Sequence, residues 1–192
     1  MELVSEAIVF AVKAHDGMRR KSSELPYILH PCEAAVIVGS ITAKQEVIAA
    51  AVLHDVVEDT PVTMDEIREK FGPRVAELVA SETEDKREDR PAEETWRIRK
   101  EESIELLKKT ADIDVKILYL GDKLANMRSI YRQWKEMGHA FWEGEGFHQS
   151  DPKQHAWYYR SIASELRELK NTMAWREYDE LIRIVFEKGD EK

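Results

Sequence analysis

The chain carries one cysteine among its 192 residues, Cys32. That excludes an intramolecular disulfide and any multi-cysteine zinc site, makes a reducing cytoplasmic setting the simplest expectation, and leaves Cys32 as a small apolar filler. A basic surplus is also lacking: 29 lysines and arginines face 38 acids, a net charge of -9. A general nucleic-acid binder or a polybasic membrane protein is therefore not expected, and any polyanionic ligand must be met by a local cluster of cations. No apolar run approaches the roughly 18 residues that cross a bilayer. The first residues carry acids early and lack a basic region before an apolar one, so no signal peptide is expected. There is no glycine-rich phosphate loop followed by lysine, no dinucleotide-binding glycine fingerprint, and no glycine-flanked serine nucleophile. What remains for chemistry is histidine and carboxylate.

Hydrophobic residues make up 43% of the chain, enough for a real core, and they recur at helical spacing with no sustained alternation. The expectation is an all-α bundle of about eight to ten helices forming a single domain over residues 1–192. Leu3, Val4, Ala7, Ile8, Ala11 and Val12 share one face of a first helix. After a polar loop, Pro31 stands where a first helical residue would be and a second helix runs to Gly39. Thr42 with Gln45, and Thr63 with Glu66, have the form of capping boxes. The first opens the apolar stretch Val47 to Val57, and the second opens a short helix ending at Phe71-Gly72, after which Pro73 starts another. Dense mixed charge over 82–102 reads as a solvated loop entering the exposed start of a helix. A longer helix over 113–134 carries Ile117, Leu118, Leu120, Leu124 and Met127 as its core stripe. The stretch 135–152, with Gly138, Gly144 and Gly146 among Phe141, Trp142 and Phe147, reads as irregular. It is either a loop packed over the core or a cover that stacks on a base. Two helices follow, at about 153–172 and 175–188.

The segment from Val52 to Thr60 is the most informative. It sets His54, Asp55, Glu58 and Asp59 in an otherwise very apolar helix. At about 100° per residue His54 and Asp55 bracket one point, with Glu58 and Asp59 one turn on. Burying them uncompensated would cost several kcal/mol of hydration, and a divalent cation would compensate it. Two ligands on one helix are too few for a metal that also activates water. His30, restricted by Pro31, and Asp122, inside the apolar run 117–124, are the polar groups that could converge with them. The bland readings are a buried hydrogen-bonded pair for His54-Asp55 and a helix end for Glu58-Asp59, although acids there oppose the helix dipole. Arg20-Lys21 could be a solvated loop, and Lys123, Asn126 and Arg128 the exposed flank of a long helix. Asn126 lies one turn from Asp122, on the same face.

The order His30, His54-Asp55, Asp122 resembles the ligand pattern of the HD superfamily of metal-dependent phosphohydrolases. Together with Arg20-Lys21, the run Pro26 to Pro31, Leu53 to Thr60, the acidic turn Glu82 to Lys86, and Gly121 to Arg128, it is similar to the hydrolase domain of the RelA/SpoT family. The similarity covers about residues 1–134 and, more loosely, the helix after Lys153. The length points to the small alarmone hydrolases, which include a metazoan SpoT homolog, with no room for synthetase or regulatory domains.

The resemblance implies one manganese ion held by His30, His54, Asp55 and Asp122, and removal of the 3′-pyrophosphate from ppGpp and pppGpp to return GDP or GTP. It implies Glu58 and Asp59 as the pair that orients and deprotonates water, and Arg20, Lys21 and Asn126 beside the nucleotide. Lys123 and Arg128 could steady phosphoryl charge, and Tyr158 or its neighbour Tyr159 could line the pocket. Gly121 stands where the family usually has alanine, a small change. A related enzyme acting on another nucleotide, such as the 2′-phosphate of NADPH, and a nucleotide-binding regulator without turnover are the competing readings. Neither a nucleic-acid nor a membrane partner is implied, and a homo-oligomer is as compatible as a monomer.

Overall fold

In a computed structural model, residues 2–20, 24–87, 89–143 and 149–187 are described, apart from the side chains of residues 139 and 143. Among them are ten α-helices and no strand: α1 (Leu3–Ala14), α2 (Leu29–Gly39), α3 (Gln45–Leu53), α4 (Val56–Asp59), α5 (Met64–Phe71), α6 (Pro73–Glu82), α7 (Ala92–Lys109), α8 (Ile113–Met137), α9 (Pro152–Glu165) and α10 (Met173–Phe186). None is long and apolar enough to cross a membrane.

The arrangement is built around α3 and α8. In α3, Val47 and every residue from Ala49 to Leu53 are buried, because α1, α2, α6 and α8 all pack against it. Small alanines on that helix let its neighbours approach. Helix α8 is held between α2 on one side and α10 on another, and its buried stripe includes Ile117, Leu118, Leu120, Leu124 and Met127. One apolar cluster runs from Ala7 in α1 to Val185 in α10.

Local chemistry explains most boundaries. At α5 the Thr63 hydroxyl accepts from the Glu66 N–H and the Glu66 carboxylate accepts from the Thr63 N–H, a complete capping box. The box expected at Thr42 does not form. Its hydroxyl accepts the Lys44 N–H two residues on (3.3 Å), so Lys44, anchored through Nζ to Asp114 at 2.8 Å, becomes the N-cap. Pro31 is the third residue of α2, not the first.

Three further expectations change. The helix expected through 47–57 is interrupted at His54-Asp55, where Asp55 adopts φ -90°, ψ -7° before α4 begins. The charged segment 82–102 is not simply solvated: α7 starts at Ala92 and buries Trp96, Arg99 and Ser103. The stretch 135–152 contains a short 3-10 helix, Gly138–Glu143. There Phe141 and Trp142 are buried, with the Trp142 ring 5.2 Å from His155 and 5.7 Å from Phe186. Phe147 and Lys188, also named from the sequence, lie outside the described residues.

A close helix crossing sits beside the site. A Cβ placed on Gly121 in α8 would lie 2.5 Å from Val38 Cγ2 and 3.0 Å from the Ala34 carbonyl oxygen in α2. In this chain glycine at 121 is thus no small change, since the backbone of α2 cannot yield as a flexible side chain would. Gly121→Ala is expected to cost about 1–3 kcal/mol through overpacking. Thermal denaturation with and without added manganese checks it; an unchanged melting temperature would show that the crossing has slack.

Candidate metal centre

Two helices and the break between two others bring four side chains together. His30 is the second residue of α2, His54 and Asp55 form the break between α3 and α4, and Asp122 follows Gly121 in α8. The His30 Nε2 atom lies 3.0 Å from Asp122 Oδ1 and 3.5 Å from Asp55 Oδ2. His54 Nε2 lies 3.2 Å from Asp55 Oδ2 and 3.4 Å from Asp122 Oδ1. His30, His54 and Asp122 form a group that could hold a metal ion, and Asp55 Oδ2 lies beside both histidine nitrogens.

The donor set fits a divalent cation. His54 Nδ1 is 2.9 Å from the Ala51 carbonyl oxygen, which can only accept, so Nδ1 carries a proton and Nε2 is left to face the cluster. That Nε2 is fully buried and makes no hydrogen bond among the described residues, although both carboxylates are within ion-pair distance. The two facts agree if a proton on Nε2 would point between the oxygens rather than at either. A cation at the centre would satisfy His30, His54 and Asp122 together. Burial alone would depress the basicity of His54, but Asp55 and Asp122 overcome it and raise it well above the ordinary histidine value. His30, by contrast, is held down by burial despite Asp122. Burial opposes ionisation of both aspartates. His54 holds Asp55 below the usual carboxylate range, and Lys123 with the two histidines does so for Asp122.

Around this centre lies a cavity of about 500 Å³ lined by His30, Asp55 and Asp122, and also by Glu58, Asp59, Arg20, Lys123 and Asn126. Glu58 is pushed up to about 7 by burial and by the neighbouring charges of Asp55 and Glu84. Asp59 is oriented by the Tyr27 hydroxyl, 2.7 Å from Asp59 Oδ2 and 2.7 Å from Asp55 Oδ2, and by Lys86 Nζ at 2.6 Å. One hydroxyl thus ties a candidate ligand to a candidate base. Arg20 donates to Asn126 Oδ1 at 2.9 Å, and Asn126 Nδ2 donates to Asp122 Oδ1 at 2.7 Å. Lys123 is buried and donates to the outer oxygen of Asp122 and to Glu82. Its charge acts on the carboxylates first.

Two residues named from the sequence sit elsewhere. Arg128 is not in the cavity wall: it donates to both Glu177 oxygens at 2.6 Å and to Glu33 at 3.3 Å, a clamp joining α2, α8 and α10. Tyr158 is buried behind the wall and its hydroxyl has no partner among the described residues, whereas Tyr159 lines the cavity. Lys21 lies outside the described residues. Unforeseen as site residues were Tyr27, Glu82, Glu84, Lys86, Trp96 and Arg99, all in the cavity wall. The signal was present in α7, where Trp96, Arg99, Ser103 and Leu107 recur at helical spacing and are buried, but two of those positions are polar.

The family model described as HD domain matches residues 7–142. The chain belongs to the HD-domain family. HD domains bind a divalent metal, in keeping with the donor set above. The HD protein here is 38% identical over 128 residues to the guanosine-3′,5′-bis(diphosphate) 3′-pyrophosphohydrolase of Haemophilus influenzae, a match covering 64% of this chain and 18% of that protein. The HD chain thus spans under a fifth of the curated relatives it matches. Among solved structures it resembles a metazoan ortholog of SpoT, described as hydrolysing ppGpp and acting in starvation responses. There the identity is 27%, the coverage 96% of each chain and the TM-score 0.75. A Listeria monocytogenes protein is 32% identical over 82% of this chain and 98% of its own, with a TM-score of 0.71.

A metal held at this centre would compete with a proton for His54 Nε2. Because that nitrogen is raised in basicity without metal while His30 is lowered, binding displaces about one proton near neutral pH. Manganese affinity is expected to fall up to about tenfold per pH unit as pH drops through neutrality, with proton uptake by buffer on binding. Calorimetric titration in two buffers at pH 6 and pH 8 checks this, and a pH-independent affinity would remove His54 from the ligand set.

Proposed function

We propose that this protein is a manganese-dependent hydrolase that removes the 3′-pyrophosphate of ppGpp and pppGpp, leaving GDP or GTP. The observation that carries the reading is the placement of Glu58 and Asp59 in the same cavity wall as His30, Asp55 and Asp122. The relatives named above support the choice of substrate. We further infer a cytoplasmic enzyme whose residues 1–192 act as one catalytic unit, with neither a nucleic-acid nor a membrane partner.

His30, His54, Asp55 and Asp122 would hold the manganese ion, which when bound supplies Lewis acidity toward phosphorus and lowers the pKa of water. The remaining steps fall to the protein. Glu58, with a pKa near 7, is matched to accept the water proton at neutral pH. Asp59 already accepts from Tyr27 and Lys86, so its part is orientation. The water oxygen bonds to the phosphorus next to the ribose 3′ oxygen, the bond to that oxygen breaks, and the 3′ oxygen takes a proton from solvent as pyrophosphate departs. Arg20 and Asn126, both in the cavity wall, form the nucleotide contact in this reading, and the same role is proposed for Lys21 from the resemblance alone. Lys123 assists indirectly, by neutralising the outer oxygen of Asp122. Arg128 and Tyr158, one a helix clamp and the other behind the wall, carry no step.

Manganese-loaded protein incubated with ppGpp, NADPH and simple nucleotides is expected to release pyrophosphate from ppGpp. Glu58→Gln should lower that rate about 100-fold or more, the usual scale for loss of a general base. Phosphate release from NADPH alone would reassign the substrate, and binding of ppGpp without turnover would make the protein a regulator.

A further inference from the structure

Glu58 and Asp59 end a helix of only four residues, too short to fix their side chains. Apart from the Tyr27 hydroxyl on Asp59 Oδ2, their partners come from the segment 83–87, which has no regular secondary structure. The Glu84 N–H donates to Glu58 Oε2 at 3.2 Å, and Lys86 Nζ donates to the Glu58 carbonyl at 2.7 Å and to Asp59 Oδ1 at 2.6 Å. Something must in turn hold that segment still.

The Glu84 side chain does so. Its Oε2 accepts from Arg99 at 2.9 Å, and its Oε1 accepts from Lys100 at 2.7 Å and from Ser103 at 3.2 Å. All three donors lie on α7, with Arg99 and Ser103 one turn apart on a single face. Trp96 and Leu107 bury the same face, so the donors stand on a packed helix. The clasp is shielded: the Glu84 and Arg99 side chains are only 11% and 9% exposed. An ion pair at that depth is costly to break from one side, because the other charge stays buried and uncompensated.

We propose that Glu84 is a positioning residue. Clasped to α7, it fixes the 83–87 segment so that its own backbone N–H and the Lys86 ammonium hold Glu58 and Asp59 in place to act on water. The proposal rests on the reading of those two residues as the water-activating pair. It also says what Arg99 and Lys100 do. Although both line the cavity, both donate to the Glu84 carboxylate, and the work assigned to them is orientation of the carboxylates rather than capture of substrate phosphate.

The test is Arg99→Gln, with Arg99→Lys as the conservative rescue. In Arg99→Gln, kcat for pyrophosphate release is expected to fall about tenfold or more while KM stays within about twofold, the pattern for loss of transition-state geometry without loss of ground-state binding. Bound manganese should be unchanged, and Arg99→Lys should recover most of kcat. A readout independent of substrate is hydrogen exchange of the Glu84 amide, protected in the native protein and released in Arg99→Gln while core amides of α3 stay protected. If native protein releases no pyrophosphate, the functional reading fails and amide exchange still decides the clasp. A raised KM with unchanged kcat would assign Arg99 to substrate binding, and retained Glu84 protection would show that the clasp positions nothing; either result overturns the proposal. Should Arg99→Gln fail to fold, Ser103→Ala removes the weakest donor alone and must show the same loss of Glu84 protection in milder form. Native-like protection there, with native kcat, likewise overturns it.

Discussion

One buried and one half-buried aspartate face two buried imidazoles, and that is the constraint on which the rest of the molecule depends. Asp55 and Asp122 each approach both histidine Nε2 atoms within 3.0–3.5 Å, in a setting where an uncompensated ion costs several kcal/mol. Every nearby structural peculiarity serves to bring those groups together. The interruption between α3 and α4 lets His54 and Asp55 converge. Gly121 lets α8 approach α2 until Asp122 reaches His30. The Ala51 carbonyl fixes the His54 ring so that its free nitrogen faces inward.

Around that centre the charges are arranged in layers. Lys123 sits on the outer oxygen of Asp122 and is itself balanced by Glu82. Tyr27 and Lys86 hold Asp59, and Arg20 reaches the centre through Asn126. The chain is acidic overall, at -9, yet the cavity wall carries Arg20, Lys86, Arg99, Lys100 and Lys123. Local cations rather than bulk charge face this cavity, and Lys86, Arg99, Lys100 and Lys123 each donate to a carboxylate.

Much of this was legible in the sequence. Helical spacing marked nearly every element, the Thr63–Glu66 pair marked the start of α5, and ionisable residues in apolar runs marked His54, Asp55 and Asp122. What escaped had a physical reason. The break at His54-Asp55 is invisible to periodicity because apolar residues continue on both sides of it. The cavity face of α7 was hidden because Arg99 and Ser103 are polar residues buried by partners distant in sequence. Arg128 reads in the sequence as a cation for phosphoryl charge because nothing in its own helix reveals Glu177, 49 residues away. The room around Gly121 depends on Val38 and Ala34 of another helix, and spacing along one helix cannot report a crossing distance.

In the proposed function His30 of α2, His54 and Asp55 of the break between α3 and α4, and Asp122 of α8 hold one divalent cation. Pulsed electron paramagnetic resonance of manganese-loaded protein tests it directly, since imidazole nitrogens bound to the ion modulate its spin echo. The account predicts one ion per chain with couplings to two histidine nitrogens, one lost in His30→Ala and the other in His54→Ala. A manganese signal without histidine coupling, or one unchanged by either substitution, would contradict it.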